Sequence, residues 1–385
     1  MSAERYQVVV VGAGLVGAAA ALALGRQGLR VALVERQAPS VPDDTWDTRI
    51  YAISPAPQRF LERIGAWQRM DVTRLQPVFR MDVAGDTDGA VRLDAYQSGV
   101  SHLATILESG RLQHALWQVL QADGSVAVHC PATITLLERD AGLTRVLLAD
   151  GTALEAELVV GADGAASRVR EWAGLASTLK PYGQSGVVAN FECERPHRGT
   201  AFQWFFDSDI LAWLPMSGNR MSMVWSTQAA HADELVALDA AALAARVQAA
   251  GHGRLGGLRL LTPAAAFPLR LIRVESAVAP GVALIGDAAH GVHPLAGQGV
   301  NLGFGDAETL VAVLSQQRQA FFGDIRVLQR YARERAEPVR RMQALTHGLH
   351  HLFADERAGW LRNAGMRIVD HVPPLKAALV REAMS

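Results

Sequence analysis

The chain has 385 residues, half of them hydrophobic and 19% charged, so it can bury a large core and is not a disordered polymer. Thirty-seven basic residues face 38 acidic ones, a net charge of -1 that argues against a dedicated nucleic-acid binder. Its two cysteines, Cys130 and Cys193, exclude a disulfide framework or a CxxC site and fit a reduced, cytoplasmic compartment, while Lys180 and Lys376 are the only candidates for lysine chemistry.

From Tyr6 to Gly25 the chain carries no charge, a length that could span a bilayer, and Ala21-Leu22-Ala23 resembles a signal-cleavage site. Against both readings, Gly and Ala dominate the second half and Met1 to Arg5 carries no basic excess. A strand–turn–helix–strand unit accounts for the segment better. Gln7 to Val11 is short and β-branched, Gly12-Ala13-Gly14-Leu15-Val16-Gly17 follows, Ala18 to Gln27 is a run of helix formers, and Leu29 to Val34 is a second apolar strand. Gly12 permits the tight turn, Gly14 lets the backbone approach a pyrophosphate, and Gly17 lets helix and strand pack closely. Glu35 stands where an acid binds the adenosine ribose hydroxyls, which favours FAD or NAD over NADP, and Arg36 beside it joins the candidate set.

Further along, Leu158-Val159-Val160 enters Gly161-Ala162-Asp163-Gly164 and then a helix bearing Arg168 and Arg170. Val187 to Phe191, Phe202 to Phe206, Ile210 to Met216 and Met221 to Ser226 are short, near-alternating and aromatic-rich, and predict an antiparallel sheet. Phe202, Trp204 and Phe206 share one strand face, and Met221, Met223 and Trp225 share another. With Trp213, the residues Phe202, Trp204, Phe206, Met223 and Trp225 are candidates for the floor of an aromatic pocket, core packing being the alternative. Gly251-His252-Gly253-Arg254-Leu255-Gly256 also satisfies GxGxxG, but it follows a helix (Ala240 to Ala249) and precedes a strand (Leu258 to Leu261), so it reads as a loop. Val282 to Ile285 is another buried strand ending in Gly286-Asp287, continuing through His293-Pro294-Leu295-Ala296-Gly297-Gln298-Gly299-Val300-Asn301-Leu302-Gly303 to a helix from Asp306 to Gln316. His290, His293, His347, His350 and His351 have metal-like spacings without an acidic third ligand, and no metal site is assigned.

These motifs, with Thr48-Arg49, Ala52-Ile53-Ser54 and Gly110-Arg111-Leu112-Gln113, resemble those of a class A flavoprotein aromatic monooxygenase of the para-hydroxybenzoate hydroxylase type. Within that group the sequence is most similar to the ubiquinone-biosynthesis hydroxylases, from the first strand to Pro373-Pro374-Leu375-Lys376 in the tail. The resemblance implies an α/β composite fold, with a Rossmann-like FAD-binding domain and an inserted antiparallel-sheet substrate domain. It places the FAD domain at 1–75, 101–180 and 265–350, the substrate domain at 76–100 and 181–264, and a helical tail at 351–385.

It also implies tightly bound FAD, with NAD(P)H and O2 as co-substrates, hydroxylating a phenolic ring such as a polyprenylphenol intermediate of ubiquinone biosynthesis. In that family the Gly-Asp motif would place Asp287 on the ribityl hydroxyls. Pro294 and the backbone of Gly297, Gln298, Gly299, Val300 and Asn301 would line the isoalloxazine. Arg49 and Arg111 would orient the pyrophosphate and flavin, and Asp163 and Arg170 would serve FAD and transient NAD(P)H docking. The oxygen-reacted flavin carries the chemistry, so no catalytic acid or base is assigned. Arg357, Arg362, Arg367, Lys376 and Arg381 in the tail suggest peripheral contact with the inner face of a membrane or with a quinone-synthesis complex. Two readings share the fold: a reductase or halogenase acting on another substrate, and a non-catalytic flavin-binding scaffold. Neither lysine sits in a halogenase-type motif.

Overall fold

Strand β1 (Glu4–Val11) is buried from Val8 onward because it lies inside a parallel sheet covered on both faces, the setting that selects an unbroken apolar run. Helix α1 (Leu15–Arg26) follows and is buried almost all round, packed between helices Ser109–Asp123 and Gly299–Ser315. Central strand plus fully enclosed helix explains the uncharged run from Tyr6 to Gly25 without a membrane. Among the described residues no helix is long and apolar enough to cross one. The protein is represented by a computed structural model describing residues 4–85, 89–140, 142–206, 209–291, 298–317 and 321–354.

Strand β2 (Val31–Val34) pairs parallel with β1, and Val126–His129 with β2. On the other side Ala153–Gly161 pairs parallel with β1, and Val282–Leu284 with Ala153–Gly161. The pair Ile134–Asp140 and Leu143–Leu148 adds antiparallel strands, and Val278–Ala279 an edge. All four nucleotide-type segments of the sequence thus meet in one sheet.

A second sheet of nine strands carries Ser177–Cys193, Thr200–Phe206, Asp209–Met216 and Arg220–Gln228, all four antiparallel neighbours foreseen from alternation. It is not antiparallel throughout, since Arg80–Ala84 joins Thr200–Phe206 in parallel. The expected boundaries near 180 and 264 fall inside its ladders: Ala265–Val274 pairs with Ser177–Val188. Gln76–Val78, expected with this sheet, instead pairs with Ala104–Glu108 in a small third sheet alongside Ile50–Ile53. Helices Ala229–Ala237 and Ala240–Ala250 cover one face of the nine-stranded sheet.

Two sequence-derived bounds shift. The helix expected from Asp306 begins at Gly299, so the Gly299-Val300-Asn301 motif is its first turn. The expected start of the tail at 351 lies within one long helix, Ile325–Ala354, and 355–385 lies outside the described residues. The second GxGxxG is a loop after Ala240–Ala250, and a Cβ on Gly251 would collide with the Trp213 indole, which is why glycine stands there.

Candidate active site

A cavity of about 970 Å³ opens at the carboxyl ends of β1, β2, Ala153–Gly161 and Val282–Leu284, where parallel α/β sheets offer their loops to ligands. Its far side is the nine-stranded sheet.

Gly12, at φ 100°, makes the turn out of β1, and its position would bring a Cβ to 2.5 Å from the Ala162 carbonyl oxygen. A Cβ on Gly17 would collide with the Gly12 carbonyl and lie 2.8 Å from Ala162 Cβ, so this residue serves packing and does not line the cavity. A Cβ on Gly14 would meet nothing within 4 Å, and Gly14 lies on the cavity wall. It is the N-cap of α1, with no side-chain cap and no acid in the first turn, so the helix's N–H groups are free for an anion. Glu35 lines the same wall; its carboxylate accepts the Ala13 N–H at 2.5 Å and the Arg36 N–H at 2.7 Å, which holds it over the glycine turn. Arg36 also lines the wall and is exposed.

The Gly286-Asp287 turn is held from beneath. Asp306, a buried acid, accepts the Gly286 N–H at 2.9 Å, and its carboxylate lies 2.6 Å from His290 Nε2 and 2.7 Å from Arg335 Nε. Burial alone would raise this carboxyl; His290, Arg335 and the Gly286 N–H outweigh it and hold the carboxyl below its ordinary value. Asp287 faces the cavity. Its side chain is open to that space but enclosed by surrounding protein, which pushes its carboxyl up against the opposing pull of His290 and Arg49. His290 is thus committed to the support of this turn.

Gln298, Gly299 and Val300 line the cavity where helix Gly299–Ser315 begins, again without a side-chain cap or first-turn acid. Asn301 is buried behind them. Its Oδ1 accepts the Ser54 N–H at 3.0 Å and its Nδ2 donates to Ala52 O at 2.8 Å, tying this helix to the Ala52-Ile53-Ser54 segment. Pro294 and Gly297 lie outside the described residues, as does His293.

The two arginines expected on the cofactor part company. Arg49 lines the cavity, 5.6 Å from the Phe267 ring centroid. Arg111 is not among the lining residues: its Nε bonds Glu108 at 3.0 Å and its Nη2 donates to Asp43 O at 2.5 Å. Buried Glu108 also takes two 2.8 Å bonds from Arg74, so this cluster fastens the loop that carries Arg49. Arg111 therefore acts through that loop, because a buried carboxylate nearby claims its charge.

Asp163 and Arg170 have similar structural commitments. Asp163 lines the cavity, yet its carboxylate accepts Ser167 Oγ at 2.5 Å and the Arg168 N–H at 2.7 Å, closing the turn into Arg168–Trp172. Arg170 is buried and donates to Ala288 O at 2.9 Å and Ala165 O at 2.8 Å, linking the Asp-Gly and Gly-Asp motifs.

The expected pocket floor is corrected. Phe202, Trp204, Phe206, Trp213, Met223 and Trp225 pack into one core beneath the two covering helices, and none lines the cavity. The cavity takes the opposite parity of the same strands: Gln203 opposes Ala212, Ala212 opposes Val224, and Val224 opposes Val188. The large rings go where helices can bury them, and the small residues leave room on the other face. Asp306, Arg335 and Gln203 were missed from the sequence; an acid set among the apolar residues of the helix Gly299–Ser315, and a lone amide within the aromatic run Phe202–Phe206, were the signals.

FAD fits these residues. Two uncapped helix N-termini open on one cavity, an acid stands near the first at Glu35, and a second acid, Asp287, stands on the same wall.

Comparison with known proteins agrees. A family model described as an FAD binding domain matches residues 5–346. The chain is 34% identical to the 3-demethoxyubiquinol 3-hydroxylase of Escherichia coli (strain K12), covering 100% of both chains. It is 34% identical to the ubiquinone hydroxylase UbiL of Rhodospirillum rubrum, covering 100% of this chain and 90% of that one. The crystal structure of PqsL, a probable FAD-dependent monooxygenase from Pseudomonas aeruginosa, superposes with a TM-score of 0.78 at 25% identity, covering 95% of this chain and 100% of that one.

Proposed function

The chain belongs to the FAD-dependent monooxygenase family that includes the ubiquinone hydroxylases, and from that premise we propose that it hydroxylates the ring of a prenylated phenol in ubiquinone biosynthesis, consuming NAD(P)H and O2. The observation that carries this reading is one cavity with two unlike walls: nucleotide-type motifs on one side and an apolar sheet face on the other.

Bound FAD supplies the redox chemistry and oxygen activation. The chain supplies the rest. The α1 N-terminus and Glu35 would hold the ADP portion, Asp287 would accept from the ribityl hydroxyls, and the N–H groups at Gly299 and Val300 would stabilise negative charge on the reduced ring system. Val188, Ala212, Leu214 and Val224 exclude water from the reacting ring. Met81 and Leu93 extend this apolar surface toward an alkyl substituent. Lys180 is exposed and does not line the cavity, which removes it as a halogenase-type lysine.

Peripheral contact with the inner face of the membrane belongs to the same proposal, because a prenyl chain partitions into the bilayer. The arginine-bearing tail expected to make that contact lies outside the described residues.

Purified protein should be yellow and release FAD on denaturation. Its NADPH oxidation and O2 uptake should rise with 2-prenylphenol, and mass spectrometry should find the hydroxylated product. Colourless protein from FAD-replete cells, or oxidation indifferent to the phenol, would count against the proposal. Substrate reduction without O2 uptake would point to a reductase.

A further inference from the structure

Among the described residues of the nine-stranded sheet that line the cavity, Gln203 is the one with a polar side chain. Gln203 lies in a cross-strand row with Ala212, Val224 and Val188, none of which can offer it a hydrogen bond from its side chain. It lines the cavity, is only 5% exposed, and its carboxamide has no hydrogen-bond partner among the described residues. A nearly enclosed carboxamide that lines a cavity and has no partner among these residues is available to hydrogen-bond a ligand there.

We propose that Gln203 is a positioning and specificity residue whose carboxamide hydrogen-bonds an oxygen substituent on the substrate ring, so choosing which ring carbon meets the cofactor. The assignment rests on the hydroxylase reading of this cavity. The charged lining residues Glu35, Arg36, Arg49, Asp163, Arg168 and Asp287 all belong to the motif-bearing wall, and among the described residues the sheet floor carries none. A neutral carboxamide both donates and accepts, which suits a hydroxyl or methoxy oxygen. A ring carboxylate set against this floor would lack a cation among the described residues, which accords with the phenol already proposed.

The test uses FAD-loaded enzyme titrated with 2-prenylphenol and with prenylbenzene, which lacks the ring oxygen, followed by the flavin absorbance. The wild type should bind the phenol about tenfold more tightly, the ratio one neutral hydrogen bond provides. Gln203→Leu should keep its FAD content and melting temperature and bind both compounds alike, with severalfold less hydroxylated product per NADPH consumed. If Leu at this position impairs folding, Gln203→Met preserves length and should give the same loss of preference. A tenfold preference retained in either folded variant, or none in the wild type, would overturn the assignment. Failure of the hydroxylase reading shows elsewhere: NADPH oxidation by the wild type would not respond to the phenol, even with the binding preference present.

Discussion

The backbone N–H of Gly286 donates to the carboxylate of Asp306 at 2.9 Å, and through this bond a fully enclosed acid sets the turn that presents Asp287 to the cavity. The same carboxylate meets His290 and Arg335, so the cofactor-facing acid rests on a second acid that never reaches the cavity.

Replacing that support should be costly. Asp306→Asn leaves Arg335 without its buried counter-charge and should destabilise the protein by about 3–5 kcal/mol, with weaker FAD binding. The carboxyl sits below its ordinary value in the fold, so its contribution is present above pH ~4 and is lost as pH falls through the folded value. Urea unfolding of wild type and variant should therefore differ most near pH 7 and converge in acid.

Asp287 titrates with the opposite sign. Burial raises its carboxyl, so ionising it in the apoprotein costs stability; the cost is absent below pH ~4 and complete above the raised folded value. Asp287→Asn apoprotein should melt about 1–2 °C higher than wild type at pH 7, with the difference vanishing in acid. The same variant should bind FAD at least tenfold more weakly, by equilibrium titration, because an amide is a poorer acceptor for hydroxyl donors.

The glycines of the first motif should separate by role. Gly17→Ala overpacks the contact with Gly12 and Ala162 and should cost about 1–3 kcal/mol in apoprotein stability. Gly14→Ala adds a methyl that meets no protein atom, so apoprotein stability should change by less than about 0.5 kcal/mol. Its FAD content should nonetheless collapse, since the methyl stands on the cavity wall at the uncapped helix end. Thermal melts and FAD released per chain distinguish the two.

The two faces of the nine-stranded sheet can be told apart in the same way. Trp204→Ala removes an indole packed 4.8 Å from Trp213 between centroids and should cost about 3–5 kcal/mol without altering phenol affinity in the folded fraction. Ala212→Phe should keep FAD and the fold while raising the KM for 2-prenylphenol more than tenfold, because Ala212, unlike Trp204, lines the cavity.

Local patterns made most of the fold legible. The turn at Gly12 requires positive φ, the β1 run requires burial on both faces, and four segments between Val187 and Ser226 are near-alternating; each is a demand on neighbouring residues and is visible in the sequence. Resemblance supplied the expectation that the distant Gly-Asp motif belongs with the first, and the parallel pairing of their strands through Ala153–Gly161 brings the two together.

What the sequence by itself determined was therefore which residues share a strand face, where the glycine turns fall, and which chemistry the motifs serve. Tertiary structure decided which face became the cavity. Alternation groups Phe202 with Trp204 and Gln203 with Ala201, but only the helices Ala229–Ala237 and Ala240–Ala250 determine which group is covered. It likewise drew Arg111 to Glu108, Arg170 to Ala288 and Asp306 to Gly286, since a charge taken out of water goes to its nearest available partner, and that partner is chosen by packing across the chain.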